Sequence, residues 1–555
     1  MRKAFLSYAR FVIWIMLFPL FVGGTTKTQQ SVAKWTTFEQ SFHSNKQYGN
    51  PLYEVGVFEI TFTSPSGREK TVDGFWNGAS DWLVRFMPDE TGRWKWTSRC
   101  SDSTNMGLHK QEGQFNCVAN DQSNELLRHG RVLHNKGTYY LSHADGKPFF
   151  WGGCTAWNGP LKSTEAEWKD YLAHRALNGY NLIQFVATQW RGCDKNSLGQ
   201  VAFEGSGYIA IKPEFFKHLD QKIDEINAHG LVAAPVLLWA LATVQGRELS
   251  PGYYLPDEEA ILLAKYLVAR YGGHHVVWIL GGDGNYVDEN EGRWKRIGRA
   301  VFAGKHEAPV ALHPGGRSWI GDAYNGEDWL DIIGYQSGHD NSLGSVNFIN
   351  RGPITNRWAQ LAPRPIINME PLYEESQRNI QPLDIRNASY WSLFNAPTAG
   401  ISYGTTGLWS WLRVGEKVLN HGFAGAEASR WRAAMSLPGS IQVGYLIRLM
   451  QGLPWWELRP AAELLAKESV SADLSDYVSV TQTRNRETIV VYLPRVRKVV
   501  LNNVNGNSYR ATWFSPATNR WVKGSLVHKE TLLELNPPPS DQDMVIVLEN
   551  KKSIL

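Results

Sequence analysis

Eight short apolar runs, separated by helix-patterned segments, constrain this chain more than any other feature. The runs are Pro148 to Gly153, Asn181 to Val186, Leu231 to Trp239, Val276 to Gly281, Pro309 to His313, Asp331 to Gln336, Pro365 to Glu370 and Gly400 to Trp411. Runs of this kind read as strands buried on both faces of a parallel sheet. The segments between them carry helix grammar. Thr164 and Glu167 form a capping box, Trp168, Tyr171, Leu172 and Ala176 share one face, and Gly179 closes the helix. Phe216, Leu219, Ile223 and Ile226 make a second stripe, and the segment from Asp257 to Tyr271 ends at Gly272-Gly273. Eight alternating units predict a (β/α)8 barrel rather than an open sheet. No glycine-rich phosphate fingerprint follows the first run, which also argues against a dinucleotide fold.

The flanks follow a different grammar. From Trp35 to about Asn120 short alternating runs, such as Tyr53 to Thr63 and Arg93 to Thr97, predict an immunoglobulin-like β-sandwich. After a packed connector from Leu437 to Leu464, five further runs predict a second sandwich: Tyr477 to Thr481, Thr488 to Leu493, Lys498 to Leu501, Ala511 to Phe514 and Met544 to Leu548. Arg2, Lys3 and Arg10 precede an apolar core from Phe11 to Val22, then Gly23-Gly24, as in a secretory signal peptide. The expected divisions are a signal peptide (1–24), an N-terminal sandwich (31–122), the barrel (128–437) and a C-terminal connector with sandwich (438–555). A secreted or periplasmic protein with no stable membrane insertion after cleavage follows.

A net charge of +4 over 555 residues leaves no electrostatic footprint for nucleic acid. The 24 tryptophans exceed what core filling needs, and indole faces stack well on sugar C–H faces. Trp76, Trp82, Trp94 and Trp96 read as core or as a sugar-facing edge. None of the four cysteines has zinc spacing, so no metal and no cofactor is expected. In an exported chain Cys100 could bridge Cys117, or Cys154 could bridge Cys193; four buried free thiols are the alternative.

Barrel enzymes place chemistry at the C-terminal ends of their strands. Asp283 sits among glycines after the fourth run, and Glu370 ends the seventh, on the opposite side of the axis. Two carboxyls so placed suit glycosidic bond cleavage, in which one protonates the leaving oxygen and the other attacks carbon or activates water. Asn368 would share the face of Glu370 and could donate to it.

Several ordered motifs make the segment from Arg128 to about Leu437 resemble the apiosidase-like glycoside hydrolases. They are Thr155-Ala156-Trp157, Gly179 to Gln184, Trp278 to Asp283, Tyr335 to His339, Glu370 to Glu374, and Tyr403-Gly404 before Trp409. The region from Trp35 to Asn120 resembles the β-sandwich that often precedes this barrel, and the C-terminal region resembles a collagen-binding-like module. The resemblance implies a retaining enzyme with Asp283 as acid/base and Glu370 as nucleophile, their carboxyls about 5–5.5 Å apart. It also implies sugar contacts from strand-end residues Trp157, Gln184, Trp239, His313, Gln336, His339, Tyr403 and Trp409. The family usually carries Asp before Thr-Ala-Trp, where this chain has Cys154, which suggests a lost sugar contact and leaves apiose itself unsupported as substrate. The function expected is a secreted retaining glycoside hydrolase acting on a plant or algal polysaccharide or oligosaccharide. The competing class is a non-catalytic glycan- or matrix-binding protein, in which a decayed barrel would have lost one of the two carboxylates. A lyase would need a cation or metal site beside its base.

Overall fold

The structure, a computed structural model, describes residues 30–550 except 243–244, 305–306, 422–427, 503–506, 528–530 and 541. The segment expected to be a signal peptide lies outside the described residues. Among those described, no helix is long and apolar enough to cross a membrane.

The centre is a closed barrel of eight parallel strands. They are β1 (Trp151–Thr155), β2 (Leu182–Val186), β3 (Val232–Trp239), β4 (Trp278–Gly284), β5 (Val310–Pro314), β6 (Ile332–Gln336), β7 (Ile366–Glu370) and β8 (Gly400–Tyr403). Nearly every strand residue is buried, as expected when helices cover the outside and packed side chains fill the inside. The main covering helices are α1 (Glu165–Leu177), α2 (Pro213–Ala228), α3 (Asp257–Tyr271), α4 (Glu291–Phe302), α5 (Leu343–Arg351) and α6 (Pro382–Phe394), followed by α7 (Pro438–Gln451). The capping box of α1 is formed: Thr164 N–H donates to Glu167 at 2.8 Å and Glu167 N–H to the Thr164 hydroxyl at 3.2 Å.

Most strand limits shift by one to three residues from the sequence reading, and two differ in kind. Pro148–Phe149 pairs outside the barrel in a three-stranded sheet, and the first barrel strand starts at Trp151. The eighth strand stops at Tyr403, and Trp409 ends a short helix, Thr406–Trp409, because Gly404-Thr405 turns the chain over Tyr373.

Before the barrel, five strands (Ser31–Ala33, Glu112–Val118, Gly92–Cys100, Phe58–Thr63, Glu69–Asp73, in spatial order) face three (Phe38–His43, Asp81–Phe86, Phe75–Gly78). Aromatic stacking fills the sandwich, with Phe38 on Phe115 at 4.0 Å and Phe62 on Phe86 at 4.1 Å. Trp82, Trp94 and Trp96 belong to this core, whereas Trp76 is only partly buried and donates to Ala79 O at 2.9 Å. The sandwich docks through a buried charge cluster. Arg85 donates to Asp220 at 2.7 Å, and Arg270 grips the same carboxylate at 2.6 and 2.7 Å. Burial would raise the Asp220 pKa, but the two guanidinium groups outweigh it and hold it at about 2.

The C-terminal module has a six-stranded sheet and a two-stranded one. All five expected runs are strands, with limits shifted by up to two residues. Arg520–Val527 and Leu532–Leu535 are strands that the sequence reading missed. The module is not a separate bead. Tyr492, Phe514, Val545 and Val547 belong to the same continuous core as the barrel. Tyr492 stacks on Tyr390 of α6 at 4.5 Å, and Arg386 of α6 makes a fork-like pair with the fully buried Asp543 at 2.7–3.0 Å.

All four cysteines are buried free thiols. Cys154 lies on β1 with its sulfur 3.9 Å from Arg175 of α1, facing the helix layer, while Cys193 lies in the loop after β2 and donates to Lys195 O at 3.0 Å. The two side chains therefore point into different layers, which rules out the expected bridge. Cys117 pairs across from Gly92 and Cys100 from Phe58, so that pair is also separated along its strands.

Candidate active site

Asp283 reaches the barrel mouth through an irregular strand end. The β4–β5 register slips twice, between Ile279 and Gly282 and between Gly282 and Gly284, so one irregularity precedes Asp283 and Asp283 is itself the extra residue of the second. Bulges re-aim side chains at barrel rims. Asp283 itself has φ of +53°, in the left-handed region that Asp tolerates better than most residues. Its neighbours must be glycine. A Cβ on Gly282 would lie 2.6 Å from the Trp239 ring, and one on Gly284 would lie 2.7 Å from that of Tyr286.

Glu370 also ends a bulged strand. Tyr335 pairs with Asn368 but Gln336 pairs with Glu370, so Met369 is an extra residue and the side-chain alternation switches there. This corrects the sequence reading of Asn368. Its amide donates at 3.0 Å to Ser337 and to Ser392 of α6, away from Glu370.

Four of the expected residues converge on the Glu370 carboxylate, which is 4% exposed. Gln336 Nε2 donates to Oε2 at 2.7 Å, and His313 Nε2 stands 2.9 Å from the same oxygen, off the ideal hydrogen-bond line. Trp157 Nε1 donates to Oε1 at 3.3 Å, and His339 Nε2 is also 3.3 Å from it. His313 Nδ1 lies 3.2 Å from the Asp283 amide N–H. Because that amide can only donate, Nδ1 must accept, and Nε2 is left to carry the ring proton that faces Glu370. One imidazole thus connects the two carboxylate-bearing strands.

Burial alone would raise the Glu370 pKa. Hydrogen bonds and charge from His313 and His339 outweigh it and hold the carboxyl well below the usual range. His339 shows the reciprocal effect: burial disfavours its charge, yet Glu370 raises its pKa. Asp283 shifts the other way. Burial and then the Glu370 charge push its pKa up to about 7, against weaker opposing pulls from His313, His339 and Arg191. Glu370 stays ionised at neutral pH while Asp283 keeps a proton up to about pH 7, the division of labour that acid-assisted displacement requires.

Trp239 and Trp409 form an aromatic wall beside this pair. The Trp239 ring lies 4.3 Å from Trp190 and 5.5 Å from Trp157, and its buried indole N–H has no partner among the described residues. Trp409 packs 4.8 Å from His421 and 6.1 Å from Trp190.

Gln184 and Tyr403 have their polar groups engaged elsewhere. Gln184 donates to Met369 O at 3.0 Å and accepts from Ser402, deep in the barrel. The Tyr403 hydroxyl donates to Glu374 at 2.6 Å, and Glu374 also accepts from the Gly439 and Ser440 amides. Both residues fix the backbone around Glu370 from behind. Cys154 likewise faces Arg175 rather than the mouth, so the departure from the family motif removes no contact there.

Tyr373 was quoted in the sequence motif without a role. Its hydroxyl accepts from Trp157 at 3.0 Å, its ring stacks on His339 at 4.1 Å, and burial with the Glu370 charge holds its pKa well above the ordinary phenol value. Among the described residues no group of three His, Cys, Asp or Glu side chains could hold a metal ion.

The family model described as "Apiosidase-like, catalytic domain" matches residues 135–457, more than half of the chain. The chain belongs to the apiosidase-like family. Its flanks match a domain of unknown function (residues 31–101) and the "Putative collagen-binding domain of a collagenase" (residues 460–549). Among solved structures, a glycoside hydrolase family 5 protein from Bacteroides vulgatus is 22% identical, with TM-score 0.66 over 77% of this apiosidase-like chain and 94% of that one. A second Bacteroides vulgatus protein is 17% identical, with TM-score 0.68 over 94% of this chain and all of its own. At such identities the likeness shows the fold. A search of curated proteins finds no match.

Proposed function

We propose that this protein is an exported retaining glycosidase acting on a plant or algal polysaccharide or oligosaccharide. The observation that carries the reading is the linkage of two carboxyl-bearing strand ends at one barrel mouth through His313, with the half-buried Asp283 pushed up to about 7 and the buried Glu370 held well below the usual carboxylate range. Asp283 gives its proton to the leaving oxygen while Glu370 attacks the sugar carbon. The attacking atom is Oε1. Its contacts are both 3.3 Å, whereas Oε2 is held at 2.7 and 2.9 Å, so the Oε1 electron pair is the less committed one. Asp283, now ionised, activates the water that releases the product, and a carboxyl separation of about 5–5.5 Å is what this double displacement needs. Trp157, Trp239, His313, Gln336, His339 and Trp409 present the hydrogen-bonding and stacking surface for the sugar, while Gln184 and Tyr403 hold the nucleophile's strand. Export proceeds with removal of residues 1–24.

The test is a screen of purified protein against plant and algal glycans, followed by NMR of the first-formed sugar. Retention of the starting anomer is expected; the opposite anomer overturns double displacement, and the absence of any product overturns the glycosidase reading. On the substrate so identified, kcat/KM should fall above about pH 7 as Asp283 loses its proton. The acid limb should lie below the ordinary carboxylate range, because Glu370 stays ionised there. A pH–rate profile with both limbs near 4 contradicts this assignment.

A further inference from the structure

Arg191 lies in the loop after β2 and is 6% exposed. Its three guanidinium nitrogens bond three acceptors on two other loops. Nε donates to Gln245 O at 3.1 Å in the loop after β3, and Nη2 donates to Asn420 O at 2.8 Å in the segment after β8, where Nη1 also meets His421 Nε2. The Asn420 amide returns a bond to Arg191 O at 2.8 Å. These loops carry Trp190 and His421, which pack on Trp239 at the end of β3 and on Trp409 of the short helix after β8. All the acceptors are neutral, and among the described residues no carboxylate is in ion-pair contact with Arg191. A buried cation is ordinarily paired.

We propose that Arg191 is a positioning residue that bolts the rim loops after β2, β3 and β8 together. The inference rests on the acid/base role given to Asp283 above. Five groups act on or beside Asp283: Glu370 from β7, His313 from β5, His339 from the loop after β6, Tyr286 just beyond β4, and Arg191. Glu370 opposes ionisation, and His313 and His339 favour it. Arg191 is the permanent cation among these five groups. It favours the Asp283 carboxylate that forms when the leaving group is protonated, and burial lowers its own pKa only from a very high starting value.

The experiment reads Asp283 directly, by carboxyl 13C NMR of aspartate-labelled full-length protein, with its resonance assigned as the one missing from Asp283→Asn. In Arg191→Met the midpoint should rise by roughly half to one unit, because removing a positive charge makes the acid harder to ionise. Arg191→Lys keeps the charge and loses the fork, so its midpoint should stay near that of the parent while KM for the glycan found in the screen rises several-fold. Asn420→Ala cuts one strap without touching the charge and should raise KM alone; it keeps the bolting claim testable if Arg191→Met does not fold. An unchanged KM in both Arg191→Lys and Asn420→Ala overturns the proposal, and an unmoved midpoint in Arg191→Met overturns the charge it lends to Asp283. The NMR titration needs no turnover, so its result stands apart from the glycosidase reading: loss of that reading would show as absent product in the parent protein.

Discussion

Glu370→Gln should abolish turnover of natural and activated substrates alike, by on the order of 10⁴-fold or more. The reason lies in the donor set around the carboxylate. Gln336, Trp157, His313 and His339 all present N–H groups to its two oxygens. A carboxamide has one oxygen to offer them, and its NH2 would face a donor wherever it turned. The nucleophilic electron pair disappears together with the anion that those donors were arranged to hold. His339 provides an internal check. Its pKa is raised by Glu370, so it should drop in the variant, and histidine NMR would record that shift without any substrate. Residual turnover within tenfold of the parent enzyme would mean that Glu370 is not the attacking group. A thermal melt controls for folding, because a mismatched buried donor costs about 1–3 kcal/mol.

Asp283→Asn should separate the two chemical steps. With an alkyl or sugar leaving group, loss of the proton donor should slow the reaction by about 10²–10⁴-fold. With an activated aryl glycoside the departing phenolate needs little help, so the first step is spared and the second, which lacks a base, becomes rate-limiting. A burst of phenol followed by a slow steady state is expected, and azide, an anion that needs no general base, should restore turnover by displacing Glu370 as a glycosyl azide. An equal loss for both leaving groups, with no burst, would remove Asp283 from the acid/base role. Because Asp283 at φ +53° hydrogen-bonds His313 through its backbone, asparagine, which also tolerates that conformation, preserves the frame.

The barrel was legible because its signal is repeated eight times. Each apolar run needs both faces covered, and the alternation with helix patterns leaves few topologies. Asp283 and Glu370 were legible by position, as carboxylates at the ends of such runs. The errors sit where the period of two fails. Asn368 was assigned to the face of Glu370 by simple alternation, and the bulge at Met369 reverses that parity. Gln184 and Tyr403 occupy strand ends as expected, yet their polar groups turn to Met369 O and Glu374, which only the packed structure can specify. Arg191 lies in a loop without periodicity, and its partners are more than fifty residues away in sequence, so no local pattern announces it. In the C-terminal module Arg520–Val527 was missed because an edge strand with Trp521 and Val522 exposed lacks the buried half of the strand signature.

The joint between α6 and the C-terminal sheet bears on how such chains can be inherited. Arg386 and Asp543 lie 157 positions apart in sequence, and each is nearly inaccessible to water. Losing either partner leaves an uncompensated buried charge, at about 3–5 kcal/mol. Tyr492 adds a second tie: its hydroxyl lies 2.7 Å from Asn387 Oδ1 and 3.0 Å from Asp543 Oδ2, with its one proton shared between them. Recombination that grafted a foreign C-terminal module onto this barrel would have to bring an aspartate and a tyrosine in matching places, or arrive with compensating changes in α6. Catalytic and C-terminal halves joined this way should diverge in step along a lineage, with exchange between lineages confined to pairs that already share the joint.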